Sequence, residues 1–282
     1  MANVQDQRER RREREGLSVV LAVKNEAGQI REALEQLDFV DERIVVDMGS
    51  TDGTVEICRE LADNVIVHDG GPQHLIHVNK NLGFEHASHP WILNLDADER
   101  LTLDLRDEIL ELLRKPDPET VAYGIPFTHY FFGKYLRFGG FRGPLYRLFR
   151  KGKLRYPEDR AHSSPTIDGK SAVLSNLIVH FNHRSISEFV QKMNLYTSSD
   201  APLLVEHGRG GLRNRTLPRR LGWTLLTAPI SVFWNRYIRH RGFRDGVHGL
   251  VVAALMAFYQ FVEYGKVWEF QNARAGDPAG KA

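Results

Sequence analysis

Through its first half the chain alternates short apolar runs with amphipathic stretches, which predicts strands and helices in turn. Leu17 to Val23 is a nearly unbroken run of β-formers, as expected of a central parallel strand buried on both faces. Ile30, Leu34 and Leu37 then fall on one helical face. Arg43 to Asp47 reads as a second strand, and Val55, Ile57, Cys58 and Leu61 mark a second helix. Asn64 to His68 reads as a third strand, Leu75 to Ala87 as a third helix and Trp91 to Leu95 as a fourth strand. Leu103 to Leu113 is amphipathic again and is ended by Pro116 and Pro118. Strands alternating with helices predict an α/β fold: a Rossmann-like, doubly wound, mostly parallel sheet. Right-handed crossovers would set the carboxyl ends of these strands on one rim.

The pattern changes after residue 118. Residues 121–127, 145–150 and 177–181 read as strands of a mixed extension, and a helix follows from about Ser185. Tyr130 to Gly143 has the composition of a binding loop. Further on, Arg209, Arg213, Arg215, Arg219, Arg220, Arg236, Arg239, Arg241 and Arg244 surround apolar runs at 221–234 and 247–259. Each run is shorter than the roughly 20 residues that span a bilayer. Trp223, Trp234, Tyr237 and Tyr259 are of the type found at membrane–water boundaries. This combination predicts a helical extension attached to an anionic membrane surface. A helical pair packed on the domain, with solvated arginines, is the plain alternative. The expected organisation is a disordered charged lead (1–16), a first α/β half (17–118) and a second, mixed half of the same domain (119–200). A basic amphipathic helical extension (201–270) and a disordered tail (271–282) complete it.

Composition narrows this picture in a few places. The formal net charge is only +2, and no recognition-helix or aromatic–basic β-surface pattern occurs, so no nucleic-acid partner is expected. The single cysteine, Cys58, excludes an intrachain disulfide and a cysteine-rich zinc site. With no signal-peptide pattern, the expected location is cytoplasmic, peripheral on the inner face of the cell membrane.

The candidate chemistry sits at the strand ends: Asn25 and Glu26, Asp47, His68 and Asp69, then Asp96 and Asp98. Ligands bind outside the carboxyl ends of strands in open α/β sheets. Asp96 and Asp98 are two residues apart, so in extended chain they point the same way and suit Mg²⁺ or Mn²⁺ completed by a diphosphate. The plain reading is a pair of acids favouring a helix N-terminus. Asp47 is placed to accept from ribose hydroxyls or a base N–H, whereas Asp52 reads as a structural N-cap. Lys80 is positioned to reach a phosphate, or is a solvated helix residue. Neither the dinucleotide glycine fingerprint nor the phosphate-loop Gly-Lys-Ser/Thr motif is present.

In combination, Val46-Asp47-Met-Gly-Ser-Thr-Asp-Gly-Thr54, Asn79-Lys80-Asn81 and Trp91-Ile-Leu-Asn-Leu-Asp-Ala-Asp-Glu99 resemble family-2 glycosyltransferases. Arg147-Leu-Phe-Arg-Lys-Gly-Lys153, Ile178-Val-His180, Arg184-Ser-Ile-Ser-Glu-Phe189 and Arg241-Gly-Phe-Arg-Asp-Gly246 are similar to the subgroup with lipopolysaccharide core β-glucosyltransferases. The resemblance covers about residues 17 to 270. It implies a glycosyltransferase A-type fold, a nucleotide-sugar donor, a saccharide or lipid-linked acceptor, a divalent metal and inversion at the anomeric carbon. It would place Asn25, Glu26, Asp47, Lys80 and Asp96 at the donor, and Asp98 with Asp96 at the metal.

One departure matters. The subgroup carries a His-Glu pair where this chain reads Ala161-His162-Ser163-Ser164. A serine hydroxyl is too weak a base to stand in for glutamate. The catalytic base is therefore assigned to Asp159 or Glu158, with His162 close behind; Asp168, before Gly169, reads as a turn residue. A metal-dependent nucleotidyltransferase and a non-catalytic membrane-bound sugar-nucleotide-binding protein are the alternatives.

Overall fold

The computed structural model describes residues 13–68, 76–140, 143–157, 164–183, 185–207 and 221–276. Strand β1 (Leu17–Val23) is buried along its whole length, as its unbroken apolar run requires. β2 (Glu42–Asp47) and β4 (Trp91–Leu95) flank it in parallel, and β3 (Asn64–Val67) adds in parallel to β2. Helices α1 (Ile30–Glu35), α2 (Thr54–Leu61) and α3 (Ile76–His86) lie between these strands in the chain. The register aligns Val23 with Asp47 and Asp47 with Val67, so these strands finish together on one rim.

The chain continues through β5 (Glu99–Leu101), α4 (Leu103–Arg114), β6 (Thr120–Ile125), β7 (Phe127–Phe131), β8 (Lys134–Tyr135) and β9 (Leu145–Arg150). Next come β10 (Leu154–Arg155), β11 (Thr166–Ile167), β12 (Lys170–Val173) and β13 (Ile178–His183). The main sheet has the order β12-β6-β9-β4-β1-β2-β3. It is the expected mostly parallel sheet, with β9 running antiparallel to both β4 and β6. Leu17, Val19, Leu21, Trp91 and Leu93 lie in its fully buried core, where each large side chain contributes about 1.5–3 kcal/mol. On the other face α3 lies against β1 so closely that a Cβ at Gly83 would stand 2.3 Å from Val20 Cγ1.

Two compact units are distinguished. The first, within Met1–Phe127 and Gly143–His180, holds the main sheet. The second lies within Thr128–Arg142 and Phe181–Ala282. It contains α5 (Ile186–His207), α6 (Leu221–Trp234), a π-helical turn (Asn235–Arg239), a 3-10 turn (Gly242–Asp245) and α7 (Val247–Gly276). α7 packs on both α5 and α6, and Phe131, Leu136, Phe189, Met193 and Val252 form a core of this unit. Asp245 is buried and accepts from the Phe138 amide at 2.9 Å and the Arg137 amide at 3.2 Å, fastening that loop to the 3-10 turn.

Some boundaries differ from the sequence reading. The charged lead is fixed from Arg14 onward, because its guanidinium donates to Asp41 at 2.8 and 3.1 Å while Trp91 Nε1 donates to Glu15 at 2.5 Å. α7 outruns its apolar stretch, since Phe261, Val262, Val267 and Trp268 continue the pattern past Tyr259, and it ends at Gly276 inside the stretch read as a tail. As a result Val247–Asn272 is long and apolar enough to cross a membrane by length and composition.

Candidate active site

The acids after β4 do not continue as extended chain. A turn closes from Asp96 to Glu99, whose amide donates to the Asp96 carbonyl at 3.0 Å, and the Asp96 amide donates back to Glu99 Oε2 at 2.9 Å. Asp96 and Asp98 therefore go to different partners instead of sharing one side. Arg100 pins the turn, donating to the Ala97 carbonyl at 2.8 Å and the Gln29 carbonyl at 3.0 Å. Gln36 Nε2 adds a bond to the Glu99 carbonyl at 3.0 Å. These bonds hold the turn before any ligand arrives.

Asp96 is gripped by two cations: Lys80 Nζ at 2.7 Å and Arg147 Nη2 at 2.7 Å. Arg147 also reaches Glu99 Oε1 at 2.5 Å. Burial opposes the Asp96 charge, but Arg147 and Lys80 outweigh it and hold its carboxyl far below the usual range. Glu99 moves the other way: burial, with repulsion from Asp96 and Asp98, pushes its carboxyl up against the pull of Arg147. Arg147 loses to burial and gains more from Asp96 and Glu99, so its guanidinium is held charged.

Asp98 Oδ2 faces His180 Nε2 at 3.0 Å, across the antiparallel pair in which Glu99 lies opposite His180. Burial lowers the imidazole and Asp98 raises it by more, leaving it above its ordinary value. The Asp98 carboxylate is a hard donor that suits Mn²⁺ or Mg²⁺, while the His180 imidazole could join it only in its neutral form and suits a softer ion than Mg²⁺. Among the described residues no cluster of three or more His, Cys, Asp or Glu side chains forms a metal cage. A two-ligand protein site is the arrangement expected of an ion that substrate phosphates complete.

Asp47 is fully buried at the end of β2. Its Oδ1 accepts from the Gly49 amide at 3.0 Å and the Ser50 amide at 2.8 Å, while Oδ2 has no hydrogen-bond partner. Burial, with help from Asp47, pushes the Cys58 thiol up to about 12, so that side chain is core. Asn25 takes a left-handed conformation (φ 55°), and its Oδ1 accepts from the Thr51 amide at 2.9 Å. The Glu26 amide donates to Thr54 Oγ1 at 2.8 Å. Asp52 accepts from the Ala27 and Thr54 amides at 3.1 and 3.2 Å, while Gly53 (φ 91°), not Asp52, takes the N-cap position of α2. The loops after β1 and β2 are thus bonded to each other.

Tyr156 closes the other side. Its backbone bonds both ends of the Asn81 amide, at 2.8 and 3.0 Å, and its ring stacks on His77 with centroids 4.4 Å apart. It introduces the segment assigned the base, but Glu158, Asp159 and His162 lie outside the described residues. Asp168 pairs with Lys153 at 2.6 Å in an exposed position. Sequence reasoning did not select Arg147, Glu99 or Tyr156, and it quoted His180 without a role. Arg147 did carry a signal: it is a charge inside a strand, and only a buried partner makes that tolerable.

A family model described as glycosyl transferase family 2 matches residues 18–175. The chain is 28% identical over 269 residues to a lipopolysaccharide core biosynthesis glycosyltransferase, LpsC, of Rhizobium meliloti, covering 92% of this chain and 94% of that protein. It is 31% identical over 269 residues to an uncharacterized glycosyltransferase of Rickettsia felis, covering 90% of each. Among solved structures it is similar to S. aureus TarS 1-349, with TM-score 0.46 and 15% identity over 93% of this chain and 92% of that one. The family match spans the rim, from β1 through the acidic turn to Arg147, and with it the nucleotidyltransferase alternative gives way: this chain belongs to glycosyl transferase family 2.

Proposed function

We propose that this glycosyltransferase moves a sugar, with inversion, from a nucleoside-diphosphate donor to a glycan or lipid-linked acceptor in bacterial envelope polysaccharide or lipopolysaccharide core synthesis. The observation that carries this reading is the acidic turn, with Asp96 ionised between Lys80 and Arg147 and Asp98 set against His180. Asp98 and His180 would hold a divalent cation, which when bound neutralises the leaving diphosphate. Asp96, held as an anion, is an acceptor for donor ribose hydroxyls. Asp47 Oδ2, buried without a partner, is an acceptor for a base N–H; leaving it unmet costs about 1–3 kcal/mol. Asn25 and Glu26 form the floor between the two loops.

Inversion requires a base opposite the leaving group. A carboxylate at Asp159 or Glu158, or the imidazole of His162, takes the acceptor hydroxyl's proton as its oxygen bonds the anomeric carbon and the bond to the diphosphate breaks. The helical unit holds the enzyme on the anionic inner face of the cell membrane, as its exposed apolar residues and arginines favour.

The test is Asp98→Asn, with calorimetric donor binding and product analysis. Asparagine keeps the shape and removes the charge a hard cation prefers. Cation-dependent binding of the nucleoside-diphosphate sugar should fall by roughly a hundredfold, taking about 2.8 kcal/mol at tenfold per 1.4 kcal/mol, while the melting temperature stays near that of the parent. Full turnover with unchanged Mn²⁺ dependence sinks the metal assignment. Release of nucleoside diphosphate by the parent supports glycosyl transfer; donor binding with no turnover on any acceptor supports the non-catalytic alternative.

A further inference from the structure

α7 is long and apolar enough to cross a bilayer, yet its surface is divided lengthwise. One stripe faces protein. Val252, Ala253, Gln260, Glu263 and Val267 are buried along it, and Gln260 Nε2 donates to Glu263 Oε2 at 2.5 Å. Lys266 Nζ, next to that stripe, donates to the Asn194 carbonyl of α5 at 2.8 Å and to Ser198 Oγ at 2.7 Å. The opposite stripe is exposed and apolar, running through Val247, Leu250, Phe258, Phe261 and Trp268. These positions recur every three or four residues, or at twice that interval, so they share one side of the helix.

α6 shows the same division. Trp223, Leu226, Ile230 and Trp234 are spaced at three and four residues and are 66, 64, 68 and 62% exposed. At 14 residues α6 is too short to span a bilayer. Between the two helices, exposed Ile238 and Phe243 alternate with exposed Arg239, Arg241 and Arg244. Asp245 is the sole acid between Leu221 and Val262, and it is buried on the amides of Arg137 and Phe138. From Leu221 to Val262 the exposed charge is therefore all positive, and the exposed acid Glu269 comes only at the far end of the α7 stripe, next to Trp268.

We propose that α7 does not cross the membrane: α6, the turn and α7 lie together in the interfacial plane of an anionic bilayer, with both apolar stripes immersed and the arginines at headgroup level. This rests on the membrane reading above and adds its geometry. A crossing α7 would carry Gln260, Glu263 and Lys266 to hydrocarbon depth, where such groups are costly. A helix lying flat keeps Gln260 and Glu263 buried against protein and Lys266 on α5, and wets only its outer stripe. Arginines beside apolar side chains suit acidic lipid headgroups, each adding attraction that salt screens. The tryptophans take the boundary position their amphipathic rings prefer.

The test uses the full chain with single cysteines at Trp223, Ile230, Phe258 and Trp268, each carrying an environment-sensitive fluorophore. Native Cys58 is fully buried and stays unlabelled. With phosphatidylcholine vesicles containing phosphatidylglycerol, all four probes should report one shallow depth and be quenched better by headgroup-level than by mid-chain quenchers. Removing phosphatidylglycerol, or introducing Trp223→Gln with Ile230→Gln, should weaken vesicle partition about tenfold or more. Probe depth that passes through the midplane along α7 and emerges in the far leaflet overturns the in-plane geometry and leaves the membrane reading standing. Probes that become buried without vesicles, in step with protein concentration, assign the face to a second copy of this chain and overturn the proposal. Unchanged partition in the double variant does the same. Absence of vesicle binding removes the membrane reading itself.

Discussion

At the rim of the sheet, Arg147 is 4% exposed and divides its guanidinium between Asp96 and Glu99, whereas Arg239 and Arg241 of the helical unit stand in solvent near Ile238 and Phe243, and Arg244 is exposed with its guanidinium over the Phe138 ring. The first region buries charge and pairs Arg147 with carboxylates; the second exposes apolar side chains and keeps its arginines at the surface, where they can meet a partner. Buried ion pairs contribute little net stability but are costly to break, because the surviving partner keeps its desolvation penalty. Solvated arginines cost almost nothing to lose. The same residue type therefore has opposite sensitivities in the two units.

The strongest test of that contrast is Arg147→Met. It leaves Asp96 with Lys80 alone and Glu99 without a cation within bonding distance. We expect a loss of about 3–5 kcal/mol in urea unfolding, and partial recovery when Glu99→Leu is added, since removing both charges removes the penalty. A loss under about 1 kcal/mol would erase the distinction between the regions.

A smaller effect comes from Glu42, at the opposite end of β2. Burial raises its carboxyl, but bonds from Ser18 Oγ at 2.5 Å and from the Ser88 amide and hydroxyl at 2.8 Å bring it below the ordinary value of 4.5. A carboxyl depressed on folding contributes stability that is complete above its unfolded pKa and is lost as pH falls through the folded one. Melting temperature should drop more steeply in the parent than in Glu42→Gln as pH descends below about 4.5. Parallel profiles would remove Glu42 from the acid response.

The smallest change is expected on the helical surface. Ile230→Ser alters an exposed side chain and should shift unfolding free energy by no more than about 0.5 kcal/mol. A larger loss means that Ile230 is packed in solution, and the exposed stripe is then not a free face.

Residue patterns carried the parallel strands well, because β1, β2 and β4 need apolar runs to bury two faces. They also marked Asp47, Asp96 and Asp98, since a carboxylate that ends such a run is too costly to bury unpaired and must meet a polar group at the rim. Two things stayed hidden. The Asp96–Glu99 turn and the pairing of Asp96 with Arg147, 51 residues away, depend on an antiparallel β9 that periodicity does not orient. α3 was read as a helix, but its buried residues include His77, Asn79, Lys80 and Asn81, so its inward face is polar and an apolar-stripe argument passes over it. The length of α7 was underestimated for the converse reason: its outer stripe continues beyond the unbroken apolar run.

The contact of Gly83 with Val20 has a consequence for reading natural variation. A helix pressed directly onto the side chains of Val20 and Val46 leaves no slack, and Lys80 stands on that helix one turn before the glycine. Any larger residue at Gly83 must lift the helix and carry Lys80 away from Asp96. In a saturation library scored only by growth, Gly83 would rank with Asp96 and Asp98, although it has no group that could touch a sugar or a phosphate. Scoring the same library for protein abundance as well as for growth would separate them: variants of Asp98 remain plentiful and inactive, whereas variants of Gly83, like those of Asp96 that strand buried Lys80 and Arg147, are depleted.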